Sequence, residues 1–195
     1  MKHGLTTRVL HLLLAGAVLV QLADTQFMRV PRPGRVTTPI EAAAFTTHEY
    51  VGLTAMAIVA MFWIWLTVRR VGTSPSRLFP WFSALRRREL WADIALHIQA
   101  ARRLAIPEPE RSESLASAVH GLGLLIMLIM AATGTVGWLS WDGASAMSDF
   151  THNLFEIHGL VANLVWAYVI VHVGIALLHE LVGHRLLRHI NPLLS

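Results

Sequence analysis

The chain has 195 residues, 54% of them hydrophobic and only 14% charged, too apolar and too sparsely charged for an ordinary water-soluble domain. It holds no cysteine, which excludes disulfides, thiolate-held iron–sulfur clusters and covalent c-type haem attachment, and leaves eleven histidines as the soft ligands. The net charge of +4 does not point to nucleic acid, because the basic residues are segregated as a membrane topology requires.

Crossing a hydrocarbon core of about 30 Å takes about 20 mostly apolar residues. Four stretches qualify, at 6–26, 46–69, 114–138 and 153–181. The first places Arg8 at an interface and His11 about one turn inside, with Ala15 and Gly16 leaving space beside it. It reads as a span rather than a secretory signal, since no small-residue cleavage pattern follows and a histidine interrupts the apolar run. Residues 27–45 then read as an outer loop, with Pro31 and Pro33 around a basic cluster that cannot continue a helix. The second span opens on Thr46, Thr47, His48 and Glu49, with Gly52 leaving a gap on the His48 face, and closes on the aromatic and basic anchor Trp63, Trp65, Arg69 and Arg70.

The only sizeable polar region, 70–113, begins as a loop over 72–80. Over 83–104, Leu90, Trp91, Ile94, Ala95, Ile98 and Ala101 recur at helical spacing between arginines, predicting an amphipathic helix on the inner leaflet with no chemistry of its own. Two prolines in 106–110 break it. The third span carries His120, Gly121 and Gly123 near its inner end and Trp138 and Trp141 near its outer one. A short acidic loop with Asp142, Asp149 and His152 leads into the fourth, which carries His158 and His172. The predicted fold is all-α: one integral-membrane domain over 1–195, a four-helix bundle with an interfacial helix between spans two and three.

Charge sets the expected orientation. Lys2 and Arg8, the run Arg69, Arg70, Arg77, Arg86, Arg87, Arg88, Arg102, Arg103 and Arg111, and Arg185 with Arg188 fall on one side. Only Arg29, Arg32 and Arg35 fall on the other, so both termini are expected in the cytoplasm. Those three arginines could steer an anion or an acidic redox partner, or simply keep a loop soluble.

The intramembrane histidines carry the chemistry. His158 and His172 are fourteen residues apart, nearly four turns, so they share a helix face at about 21 Å along the axis, enough for two flat cofactors. Imidazole is an axial ligand of haem iron, and a histidine in lipid is otherwise an unexplained cost. At 1.5 Å per residue, His48 and His158 both come out about 13 Å toward the outside, while His11 and His172 both come out about 8 Å toward the inside. These are the pairs a bis-histidine haem needs. His120 comes out about 9 Å toward the inside and competes with His11 for the inner position; failing that, it could bond a propionate, a quinone or a backbone carbonyl. His3, His97, His152, His184 and His189 fall in interfacial or solvated places. The segment His179-Glu180-Leu181-Val182-Gly183-His184 looks like a zinc-protease motif, but its histidines are five apart rather than four and a glycine interrupts the helix.

Thr7-Arg8-Val9-Leu10-His11, His48-Glu49-Tyr50-Val51-Gly52, Ile157-His158-Gly159 and His172 together resemble the four-helix, di-haem b-type cytochromes that include bacterial cytochrome b561 and the cytochrome b subunits of nickel hydrogenases and formate dehydrogenases. The resemblance spans essentially the whole chain. It implies two haems b, held by His48 with His158 on the outer side and His11 with His172 on the inner. It also implies a bacterial inner membrane protein moving electrons between the quinone pool and a periplasmic donor or acceptor, superoxide among them, with a quinone site expected near His172 and His120. Two other readings remain at this point: a cytochrome b anchor for a separate dehydrogenase or hydrogenase subunit, and a haem-free transporter relaying protons or metal through histidines. Against the last, Glu49, Glu156 and Glu180 lie near span ends, leaving no intramembrane carboxylate.

Overall fold

The computed structural model describes residues 4–31, 34–69, 72–108, 113–143 and 145–184. Lys2, His3, Arg32, Pro33, Arg70, Arg111, Arg185, Arg188 and His189, all named above, lie outside the described residues. The fold is all-α. Its elements are α1 (Leu5–Asp24), α2 (Pro39–Val68), the short α3 (Pro75–Leu78) followed by a 3-10 turn at Pro80–Phe82, α4 (Ala84–Arg102), α5 (Glu113–Ser140) and α6 (Asp149–Leu181). Helices α1, α2, α5 and α6 are each long and apolar enough to cross a membrane.

Three boundaries differ from expectation, one being the start of α6, which takes in Asp149 and His152 of the expected acidic loop. Helix α2 begins at Pro39, so the outer loop is shorter than 27–45. The cause is a capping box: Thr38 Oγ1 accepts the Glu41 N–H (3.3 Å) while Glu41 Oε2 accepts the Thr38 N–H (3.0 Å), and Pro39 supplies a preset φ at the first helical position. Glu41 also takes Arg35 in an exposed ion pair (3.0 Å). The expected loop 72–80 contains α3, started by Pro75 in the same way.

The chain forms two compact units. One comprises 10–64 and 126–167. Its core includes Ile58, Val59 and Phe62 of α2, Met127 of α5, and Val161 and Val165 of α6. The gap expected at Gly52 is taken by Gln21, whose Nε2 would stand 2.9 Å from an added Cβ and donates to the His48 carbonyl (2.7 Å). At the start of α6, buried Thr151 exchanges hydrogen bonds with the Ser148 (2.9 Å) and Ser140 (3.2 Å) hydroxyls. Gly137 makes way for the Phe155 ring.

The other unit comprises 1–9, 65–125 and 168–195. Trp65 Nε1 donates to Thr7 Oγ1 (3.0 Å), tying the C-terminal end of α2 to the start of α1. Arg77 pairs with Glu113 (2.7 Å), bringing α3 to the first turn of α5. The α3 backbone meets α5 at Gly121, where the Leu78 carbonyl occupies the place a Cβ would need. Helix α4, expected over 83–104, runs over Ala84–Arg102 from a Ser83 cap. Its inward face carries a buried carboxylate, Asp93, 6% exposed, whose Oδ2 accepts the Leu115 N–H at the start of α5 (2.8 Å). That bond satisfies one of the donors a helix N-terminus leaves open. The outward face of α4 shows Trp91 and Ile98 among Arg87, Arg88 and Arg102.

Large apolar side chains on the spans are widely exposed, among them Leu12, Leu19, Ile64, Leu160, Leu164 and Ile170. In water such a surface would be unstable; against lipid tails it is the ordinary exterior of a spanning helix.

Candidate haem-binding site

In the unit holding 10–64 and 126–167, α2 and α6 bring His48 and His158 together. Their ring centres are 6.3 Å apart and their planes nearly perpendicular at 87°. A metal–imidazole bond of about 2.0 Å plus about 1.15 Å from nitrogen to ring centre puts two trans imidazoles about 6.3 Å apart. The spacing therefore fits two ligands on opposite sides of one iron.

The surroundings fit the same role. Thr133 Oγ1 lies 3.0 Å from His158 Nδ1. That hydroxyl gives its own proton to the α5 carbonyls of Ile129 (2.8 Å) or Met130 (3.0 Å), so toward His158 it accepts. With the hydroxyl proton so placed, His158 can donate Nδ1–H to Thr133 and keep Nε2 as a lone-pair donor, the arrangement that suits a metal-ligating histidine. Across the pair, the buried Nδ1 of His48 has no hydrogen-bond partner among the described residues. Gly134 packs directly on the His158 ring, where an added Cβ would stand 2.9 Å from Cε1. Neither Thr133 nor Gln21 was singled out from the sequence. Threonine in an apolar span is common enough that only its partner reveals it.

A family model described as prokaryotic cytochrome b561 matches residues 2–192, nearly the whole chain. The chain belongs to the prokaryotic cytochrome b561 family. No curated protein and no solved structure matches it. Membership makes it a multi-pass bacterial membrane cytochrome of the b type, which binds haem b and takes part in electron transfer.

A second histidine cluster of this cytochrome lies in the other unit, on α5 and α6. His120 and His172 have ring centres 5.2 Å apart at 86°, and Tyr168 stacks on His172 at 5.2 Å and 11°. The Tyr168 ring lies over Gly123, filling the place of a Cβ there, with its Cε1 at 3.0 Å. His120 donates Nδ1–H to the Ala116 carbonyl one turn earlier (2.6 Å), so its Nε2 is the lone-pair nitrogen. The His120–His172 spacing is about 1 Å shorter than a trans pair on iron requires. As arranged, the two rings touch each other. His11 is half-buried on α1, in the unit that contains His48 and His158. Of the five histidines named from the sequence, the structure thus joins His48 to His158 and His120 to His172.

Proposed function

We propose that this cytochrome carries two haems b, with His48 and His158 the axial ligands of an outer haem and His11 and His172 those of an inner one, and that it passes electrons between membrane quinone and a periplasmic donor or acceptor. The observation that carries the reading is the 6.3 Å spacing of the His48 and His158 rings, with Thr133 holding the tautomer that leaves Nε2 for iron. When bound, haem iron supplies a one-electron carrier. The chain does the rest: it aims two imidazoles, excludes water with apolar side chains, and carries a second histidine, His172, fourteen residues further along α6.

His120 and Tyr168 beside His172 supply polar groups at the inner position, where a quinone taking up electrons also needs protons. The arginine-rich segment between α2 and α5 supports a cytoplasmic position for that end and for both termini. The closeness of His120 to His172 favours one variant of this reading, in which His120 rather than His11 completes the inner site after a ring shift of about 1 Å.

Haem per chain, measured on the purified protein and on His48→Ala, His158→Ala, His11→Ala and His120→Ala, tests the assignment. Two haems are expected in the parent and one in each of the first three variants, with His120→Ala retaining two. A parent holding one haem, or a His48→Ala variant holding two, overturns it. Loss in His120→Ala with retention in His11→Ala selects the variant ligand set.

A further inference from the structure

At its inner end α6 stops in a tight reversal. Gly183, at φ +88°, donates to the Glu180 carbonyl (3.0 Å), and His184 donates its backbone N–H to the His179 carbonyl (3.0 Å). This is the paired 5→2 and 6→1 closure of a helix C-terminus, and its left-handed residue is one that glycine adopts without strain. On a continuing helix, residues five apart would point about 140° away from each other. Here the reversal folds His184 back on His179 instead. The rings lie 5.0 Å apart at 44°, and their Nδ1 atoms face each other at 2.8 Å.

Two Nδ1 atoms at that distance share one proton, or one cation. Two imidazole nitrogens bound cis at 90° to an ion at about 2.05 Å are about 2.9 Å apart, whereas tetrahedral angles spread them to about 3.3 Å. The observed 2.8 Å is the length of the hydrogen bond itself, and from it the rings need open by only about 0.1 Å to take an ion cis, as tetragonal copper(II) and nickel(II) do, against about 0.5 Å for a tetrahedral ion. His179 is only 7% exposed, so the bite is held by packing on one side and by the reversal on the other. The nearby His97 of α4 is near enough to interact electrostatically with His179, but its Nδ1 is directed to the Asp93 carbonyl (2.9 Å) and carboxylate (3.2 Å). Among the described residues no three His, Cys, Asp or Glu side chains converge on one point.

We propose that His179 and His184 form a two-nitrogen chelate for a divalent transition-metal ion, copper(II) first by the general affinity order. The site is separate from the haem ligands. Binding exchanges the shared proton for the metal: the ring that donated through Nδ1 moves its proton to Nε2 through water, and both Nδ1 lone pairs turn to the ion. Protein charge is unchanged, and no redox step is involved.

The test uses the full-length, haem-loaded protein with any affinity tag removed, titrated with copper(II) alone and followed by electron paramagnetic resonance. One copper per chain with hyperfine splitting from two imidazole nitrogens is expected. His184→Ala should lower its affinity at least tenfold, because the second nitrogen no longer comes at the high effective concentration of the same chain. Gly183→Val is the decisive variant: it keeps both imidazoles but forbids the reversal, and should cost a similar factor with the haem spectrum intact. Copper binding unchanged in both variants, or splitting from a single nitrogen in the parent, would overturn the proposal.

Discussion

Replacing Thr133 by valine removes one hydrogen-bond acceptor from His158 and leaves the side chain's shape nearly intact. In the parent, Nδ1–H of His158 reaches Thr133 Oγ1 at 3.0 Å, with the Met130 carbonyl as a further acceptor. A hydrogen bond of this kind is worth about 0.5–1.5 kcal/mol net, and the remaining acceptor puts the loss in the lower half, about 0.5–1 kcal/mol. An acceptor at Nδ1 makes the imidazole a stronger donor to iron and favours the ferric state. Removing it should therefore raise the midpoint potential of the haem proposed at His48 and His158. Only the part of that energy that differs between the ferric and ferrous states counts, so with about 59 mV per tenfold change for one electron the rise is at most about 20–40 mV. A redox titration followed by the visible bands of the reduced haem reads this directly. The inner haem should hold its potential, and Thr133→Ser, which keeps the hydroxyl, should restore the parent value. An unchanged potential in Thr133→Val with both haems present would refute the tuning role. So would an equal shift in the serine and valine variants, which would attribute the effect to packing.

Gly121→Ala should lower the unfolding temperature in detergent by the equivalent of about 1–3 kcal/mol, because the new Cβ meets the backbone carbonyl of Leu78, which cannot rotate aside as a side chain can; an unaltered temperature would show that α3 does not dock there. Asp93→Ala should cost about 1–3 kcal/mol by leaving the Leu115 N–H without its acceptor, and Asp93→Asn, which keeps an oxygen, should cost less; thermal unfolding of the three proteins orders them. Leu104→Gly should stabilise by about 1 kcal/mol, since Leu104 closes α4 at φ +52° while 98% exposed, losing no packing and relieving the left-handed strain; a lower unfolding temperature would mean that the leucine is held by something it touches.

Much of this cytochrome is legible without coordinates because lipid imposes a coarse rule: a spanning segment must be helical, apolar and long. The four helices, the surface helix α4 and the histidines inside the spans follow from that rule and from spacing along the chain. The start of α2 was equally readable, since Thr38-Pro39-Ile40-Glu41 is a capping box with proline in its preferred place, yet the nearby prolines drew attention to a loop.

What the linear pattern leaves open is which face of each helix meets which neighbour. Depth alone groups His11, His120 and His172, because histidines at one height on different helices look alike until the helices are rotated. The tertiary structure turns His120 onto His172, brings His48 opposite His158 at a ligand's spacing, and seats Thr133 behind it. It also joins His179 to His184, a pair that helical spacing sets apart, because one glycine adopts a left-handed turn. The sequence by itself determined the spans and their histidines, since hydropathy and the rise per residue are properties of a single helix. Only the folded chain decided the pairings, since those depend on helix rotation and on reversals closed by hydrogen bonds between separate residues.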